Sequence, residues 1–119
     1  MIRGSLTIHL RDAELTRDVK KFGKMNVFVT FEHKTSTHKS SICESEGKEP
    51  SWENCHFDFL VKDNDDTIQM NVYSKNLLKN KEVGKSLLWV DNLIRDGGTD
   101  WWEEIAHEGK PAGKVHLRS

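Results

Sequence analysis

Apolar residues fall on alternate positions in several short stretches of this chain, and a period of two defines strands with one buried face. The clearest covers residues 54–61, where Phe57, Phe59 and Val61 share one face and His56 and Asp58 take the other. Pro50 sets a turn ahead of it and Trp52 leads into it. Leu6, Ile8 and Leu10 alternate with Ser5, Thr7 and His9 and predict a first strand. Residues 11–25 lose the alternation and read as a long, charged loop. Residues 26–32 are dense in β-branched and aromatic side chains, which suits a central strand. Residues 37–43 are polar and read as a strand near a sheet edge. Ile68, Met70 and Val72 alternate with Gln69 and Asn71. Residues 82–90, residues 100–106 and the pair Val115 and Leu117 supply the remaining strands.

Turn signals separate these stretches at intervals near ten residues, about eight strands in all, which predicts an antiparallel sandwich or barrel. No helix-length amphipathic stretch competes, and there is no internal repeat. The fold class expected is all-β, an eight-stranded antiparallel β-sandwich. The 119 residues form one domain, residues 1–119, with room for a real core. A chain running up and down such a sandwich turns alternately at its two ends. Residues 11–25, 44–51 and 74–81, the first, third and fifth connections, therefore share one end. They are among the longest connections, and long loops on a rigid scaffold usually carry binding.

Charge changes this picture locally. Lys and Arg number 18 against 19 Asp and Glu, a net charge of -1, so bulk charge draws the molecule to no polyanion and no nucleic-acid partner is expected. Yet around the first and third of these loops lie Arg17, Lys20, Lys21, Lys24, Lys75, Lys79 and Lys81 against Asp18 and Glu82. The second subtracts, with Glu44, Glu46 and Glu49 against Lys48. Phe22 sits among the first loop's lysines, and Leu77 and Leu78 in the third. Two readings stay open. The lysines face an anionic surface and the apolar residues enter its headgroup region, or the lysines are a solvated face and the apolar residues cap the sandwich edge.

Other chemistry is sparse. Six histidines are scattered without metal-ligand spacing, and no nucleophile elbow, phosphate-binding Gly loop or triad set appears, so no catalytic residues are assigned. Cys43 and Cys55 fall in neighbouring predicted strands and read as two small buried thiols. Asp63, Asp65 and Asp66 fit turn chemistry at the opposite end. His38, Lys39 and His56 read as wet-face residues. Adjacent strand residues point to opposite faces, so one of Trp101 and Trp102 is exposed, a candidate partner anchor. No apolar run reaches the ~20 residues of a membrane span, and Met1–Ser5 lacks a signal peptide's apolar core, so a cytoplasmic setting is expected.

Five segments in order resemble the C2 domain family. Residues 4–15 look like its opening strand followed by Ala-x-Leu, here Ala13 and Leu15. Gly23 to Val29 sits where the family has Gly-x-Ser-Asp-Pro-Tyr-Val. Pro50, Trp52, Asn54, Phe57 and Phe59 match Pro-x-Trp-Asn-x-x-Phe-x-Phe. Val72, Tyr73 and Gly84 match the Val-Tyr-Asp…Gly stretch, and Gly113, Val115 and Leu117 the Gly-x-Val-x-Leu close. Starting and ending on those strands corresponds to the family's type II topology. Ending soon after the last strand fits a domain excised from a longer protein.

The resemblance implies a loop-borne calcium site, and the sequence departs from it. Calcium takes about 6–8 oxygen ligands, several of them carboxylates. Position by position, the family's aspartates correspond to Asp18, Asn26, Ser74, Asn76 and Glu82, so at most two carboxylates remain. The family reading is then a non-catalytic targeting module with no metal and no cofactor, docking on anionic phospholipid membrane as a peripheral protein through Lys20, Lys21, Phe22, Lys24, Lys75, Leu77, Leu78, Lys79 and Lys81. The alternative is a protein-interaction module within a scaffold or cytoskeletal protein. Calcium-dependent lipid binding is the third.

Overall fold

The alternation along the chain reappears as burial. The computed structural model describes residues 4–19, 23–34, 36–44, 46–61, 67–76, 79–90 and 100–119. Its eight strands are β1 (Gly4–Leu15), β2 (Val27–His33), β3 (Ser36–Lys39), β4 (Ser51–Val61), β5 (Thr67–Ser74), β6 (Lys81–Trp89), β7 (Asp100–His107) and β8 (Lys110–Arg118). Val27, Val29 and Phe31 of β2 and Ile68, Met70 and Val72 of β5 are fully buried, as period-two strands with one inner face require. Phe28, on the other face of β2, is also buried. It stacks on Tyr73 of β5 at 5.4 Å, and the Lys39 ammonium lies 4.4 Å from its ring centroid. The unbroken run Val27-Phe28-Val29 therefore belongs to a strand covered on both sides.

All strand pairs are antiparallel, in the order β3-β2-β5-β6-β7-β8-β1-β4. Among the described residues β6 and β7 are joined by a single pair, Lys85 with Ala106, so a seam divides the order into two four-stranded halves. The halves fold face to face. Phe31 of β2 lies 5.2 Å from Phe57 and 6.2 Å from Phe59 of β4, and His38 of β3 lies 4.9 Å from Phe59, although β2 and β3 stand at the opposite end of the order. At the seam, Gly84 of β6 packs on Ala112 and Ile105, which a Cβ would meet at 3.0 Å. Ser86 donates a hydrogen bond to Glu103 at 2.6 Å beside it. The molecule is thus the expected all-β sandwich.

Two expectations are corrected. Residues 11–15 are not loop: β1 continues to Leu15, with Ala13 and Leu15 buried in the core. A register shift between Leu10 and Asp12, seen by both neighbours of β1, resets the alternation, so the pattern looked broken where the strand only bulges. Facing this bulge, Asn54 of β4 adopts a left-handed φ of 50°, which a short polar side chain tolerates. Nor do Cys43 and Cys55 fall on neighbouring strands: Cys43 lies outside the eight strands, bridged to Val27 of β2, and β4, which carries Cys55, pairs with β1.

Both thiols are free. Cys43 donates to the Ser51 carbonyl at 2.9 Å, and burial, then the hydrogen bond and charge of Glu46, push it from 9.0 up to about 12. Since the unfolded thiol ionises first, its contribution to stability is complete below pH 9.0 and declines as pH rises toward 12. Near the lower value the native thiolate population should lie far below that of the unfolded chain. Iodoacetamide labelling at Cys43 should accordingly be slow until denaturant is added; fast native labelling would contradict this burial.

Candidate functional site: the loop end

Several connections converge at one end, and backbone hydrogen bonds tie them together. The Leu15 and Ala13 amides donate to the Lys48 and Pro50 carbonyls at 2.8 and 3.0 Å. The Gly47 amide donates to the Met25 carbonyl at 3.1 Å, and the Lys75 amide to the Asn26 carbonyl at 2.8 Å. Val27 pairs with Ser74 and Ser74 with Lys81, so the first, third and fifth connections share this end, as the up-and-down count predicts. The seventh joins them, since Leu15 pairs with Gly113 and the Thr16 amide donates to the Ala112 carbonyl at 2.9 Å. Its hairpin turns on Glu108 and Gly109 with φ of 50° and 80°, the left-handed pair of a two-residue turn.

The lysines divide between the described residues and the rest. Lys24, Lys75, Lys79 and Lys81 are exposed at this end. Lys20, Lys21, Phe22, Leu77 and Leu78 lie outside the described residues. Lys110, exposed at the start of β8 beside the seventh connection, was missed by the sequence reading, although the same alternate-end count reaches it. One flank is not basic. A cleft of about 620 Å³ runs between the first and third connections, lined by Lys24 and Lys48 but also by Glu14, Asp18, Glu46 and Glu49.

The five calcium-equivalent positions do not form a carboxylate cage. Asp18 is exposed and lines that mixed-charge cleft. Asn26 and Asn76 are half-buried. Ser74 is fully buried, and its hydroxyl finds no hydrogen-bond partner among the described residues. Glu82 pairs across the sheet with Tyr73, and its carboxylate meets His107 Nδ1 at 2.8 Å. The Tyr73 phenol is pushed up by burial and then by the charges of Glu32 and Glu82. Among the described residues no group of three or more His, Cys, Asp or Glu is placed to hold a metal ion. The His107 contact was invisible in the sequence, where 25 residues separate the two.

An antiparallel sandwich with its longest connections gathered at one pole is a scaffold for loop-borne recognition. A sequence model of the C2 domain family matches residues 4–105, and the chain belongs to that family. Among solved structures, the first C2 domain of a plant extended synaptotagmin 1 superposes with a TM-score of 0.81 at 20% identity, over 96% of this chain and 90% of that one. The tandem C2 domains of extended synaptotagmin 2 give 0.83 at 19% identity, over 98% of this chain and 40% of that one. A human GIVD cytosolic phospholipase A2 gives 0.72 at 15% identity, over 96% of this chain but only 16% of that one. At these identities the likeness establishes the fold. No curated protein sequence is significantly similar to the chain.

Proposed function

We propose that this C2 domain is a non-catalytic targeting module that docks on anionic phospholipid membrane through its loop end, without calcium. The observation that carries the reading is the set of exposed lysines 24, 75, 79 and 81 on loops held at one pole. Lys20 and Lys21 add to it in sequence, and Phe22, Leu77 and Leu78 would enter the headgroup region between them. The calcium-free part rests on two observations: Ser74 is buried where a carboxylate would be needed, and Glu82 is held by His107. The placement of β1 inside the half β4-β1-β8-β7, next to the chain's last strand, supports the type II arrangement. Among the described residues no helix is long and apolar enough to cross a membrane, and docking from one side is what the loop end offers.

Co-sedimentation with vesicles tests it. Binding to phosphatidylserine-rich vesicles should survive chelator, weaken as salt rises, and vanish on phosphatidylcholine alone. Each lysine near such a surface contributes about 1 kcal/mol, so neutralising Lys75 and Lys79 to Gln should weaken binding by about 2 kcal/mol, roughly 30-fold. No binding at low ionic strength, or binding lost to chelator, would reject the proposal. Calcium at millimolar concentration should leave the melting temperature within about 1 °C of the metal-free value, because a ligand stabilises only in proportion to its binding. A clear rise would show that the loops gather more oxygen ligands than their carboxylates indicate.

A further inference from the structure

His9 of β1 and His56 of β4 are register partners midway along their strands. Ile8 and Leu10, on either side of His9, are buried in the core, so the two imidazoles leave the sheet together on its outer face. His9 is half-buried and His56 exposed, and their ring centroids stand 5.6 Å apart. Neither ring has a hydrogen bond or ion pair with a described residue. The other four histidines are engaged. His33 is buried, His38 packs on Phe57 and Phe59 at 5.7 and 4.9 Å, and His107 meets Glu82 at 2.8 Å. His116 meets Asp12 at 3.1 Å and stacks at 4.8 Å on Trp102, itself 40% exposed. Charge beside the pair is balanced. Asp58, which accepts from Thr7 at 2.6 Å, and Asp100 of the same cross-strand row stand against Arg118, opposite His9 on β8, and Arg11, exposed at the bulge.

With charge neutral, the imidazole nitrogens decide what this face takes. A neutral imidazole offers one lone pair, and two facing rings can share an ion that prefers nitrogen. Calcium and magnesium want oxygen and gain little here. Zinc, nickel and copper(II) suit imidazole, with copper(II) tightest. An ion about 2.0–2.1 Å from each nitrogen lies about 3.2 Å from each centroid, so bond angles of about 90–120° need centroids about 4.5–5.5 Å apart. The observed 5.6 Å is within a small ring rotation of that range. We infer that His9 and His56 form a two-imidazole site for a late first-row divalent ion, completed by water, which clips the terminal strand β4 to β1. The site is mid-strand, separate from the loop lysines and from the calcium-equivalent positions, and holds whether or not the loop end docks on membrane.

The test is a zinc chloride titration of the isotope-labelled domain in a non-chelating buffer, followed by two-dimensional NMR of the imidazoles. The His9 and His56 signals should move together and saturate at one zinc per chain, while calcium chloride leaves them in place. His9→Ala and His56→Ala should each weaken zinc binding at least about tenfold, since even the partner of a metal ligand is worth that much. His107→Ala and His116→Ala, which remove imidazoles facing carboxylates, should leave the affinity intact. Zinc should also raise the melting temperature of the parent, because the two rings meet only when β1 and β4 are in register, and His56→Ala should lose that rise. His56 is exposed, so this variant keeps the test open if His9→Ala perturbs the fold, and its metal-free spectrum verifies that it is folded. Four results would overturn the inference: no imidazole shifts at millimolar zinc, movement of one ring without the other, undiminished binding in His56→Ala, or saturation at two chains per zinc, which would assign the ion to a contact between copies.

Discussion

Replacing Gly113 by valine should leave the domain unfolded at room temperature. Gly113 of β8 pairs with Leu15 of β1 at a φ of 134°, a conformation side-chain-bearing residues rarely adopt. A Cβ there would stand 2.5 Å from the Glu14 carbonyl oxygen and 2.6 Å from the Leu15 Cα. Both obstacles are backbone of a neighbouring strand, so neither can rotate away. Relieving the clash means separating β1 from β8, and with them the ties that gather the loops. Strain of this kind costs more than about 4 kcal/mol, against a total stability of about 5–15 kcal/mol for a typical domain. Gly113→Ala should be nearly as severe, since the first carbon alone collides. Circular dichroism and a thermal melt suffice as readout; a variant melting within about 2 °C of the parent would refute the close approach of these strands.

Truncating Phe31 to alanine should cost about 3–5 kcal/mol. The side chain is fully buried and meets the rings of Phe57 and Phe59 from the other half of the sandwich, so its loss opens a void between the halves. In urea the midpoint should fall with little change in slope if both halves still unfold together. Leu60→Ala is the matched control: Leu60 is 66% exposed, and its removal should change stability by less than about 0.5 kcal/mol. Equal effects of the two substitutions would mean the halves are not packed through these rings.

The sequence carried the strands and the gathering of loops because both follow from short-range pattern and from counting. Period-two burial in residues 68–72 and 57–59 needs no tertiary knowledge, and alternate turning of the chain places the odd connections together. The bulge in β1 was hidden because one extra residue breaks an alternation just as a loop does. Gly113 was recognised as part of a family motif, but its reason, the proximity of Glu14 and Leu15, exists only once β1 and β8 are side by side. The same holds for Glu82, which counts as a spare carboxylate until His107 is brought to 2.8 Å from it. Exposure of one tryptophan of the pair 101–102 was readable from strand geometry. Which one, and what cradles it, depended on the register that sets Trp102 opposite His116.

The seam between β6 and β7 gives the molecule a crease. Among the described residues one backbone rung, Lys85 with Ala106, the side-chain contacts Ser86–Glu103 and Glu82–His107, and the nested contact of Gly84 with Ile105 and Ala112 join the two halves along that line. Lys79 hangs from one side of it and Lys110 from the other. A small rotation about the rung would alter the spacing of those two ammonium groups while the ladders within each half stay intact. The amides of Lys85 and Ala106 should therefore trade protons with solvent sooner than their neighbours on β5 and β8, and their exchange rates would report such a rotation.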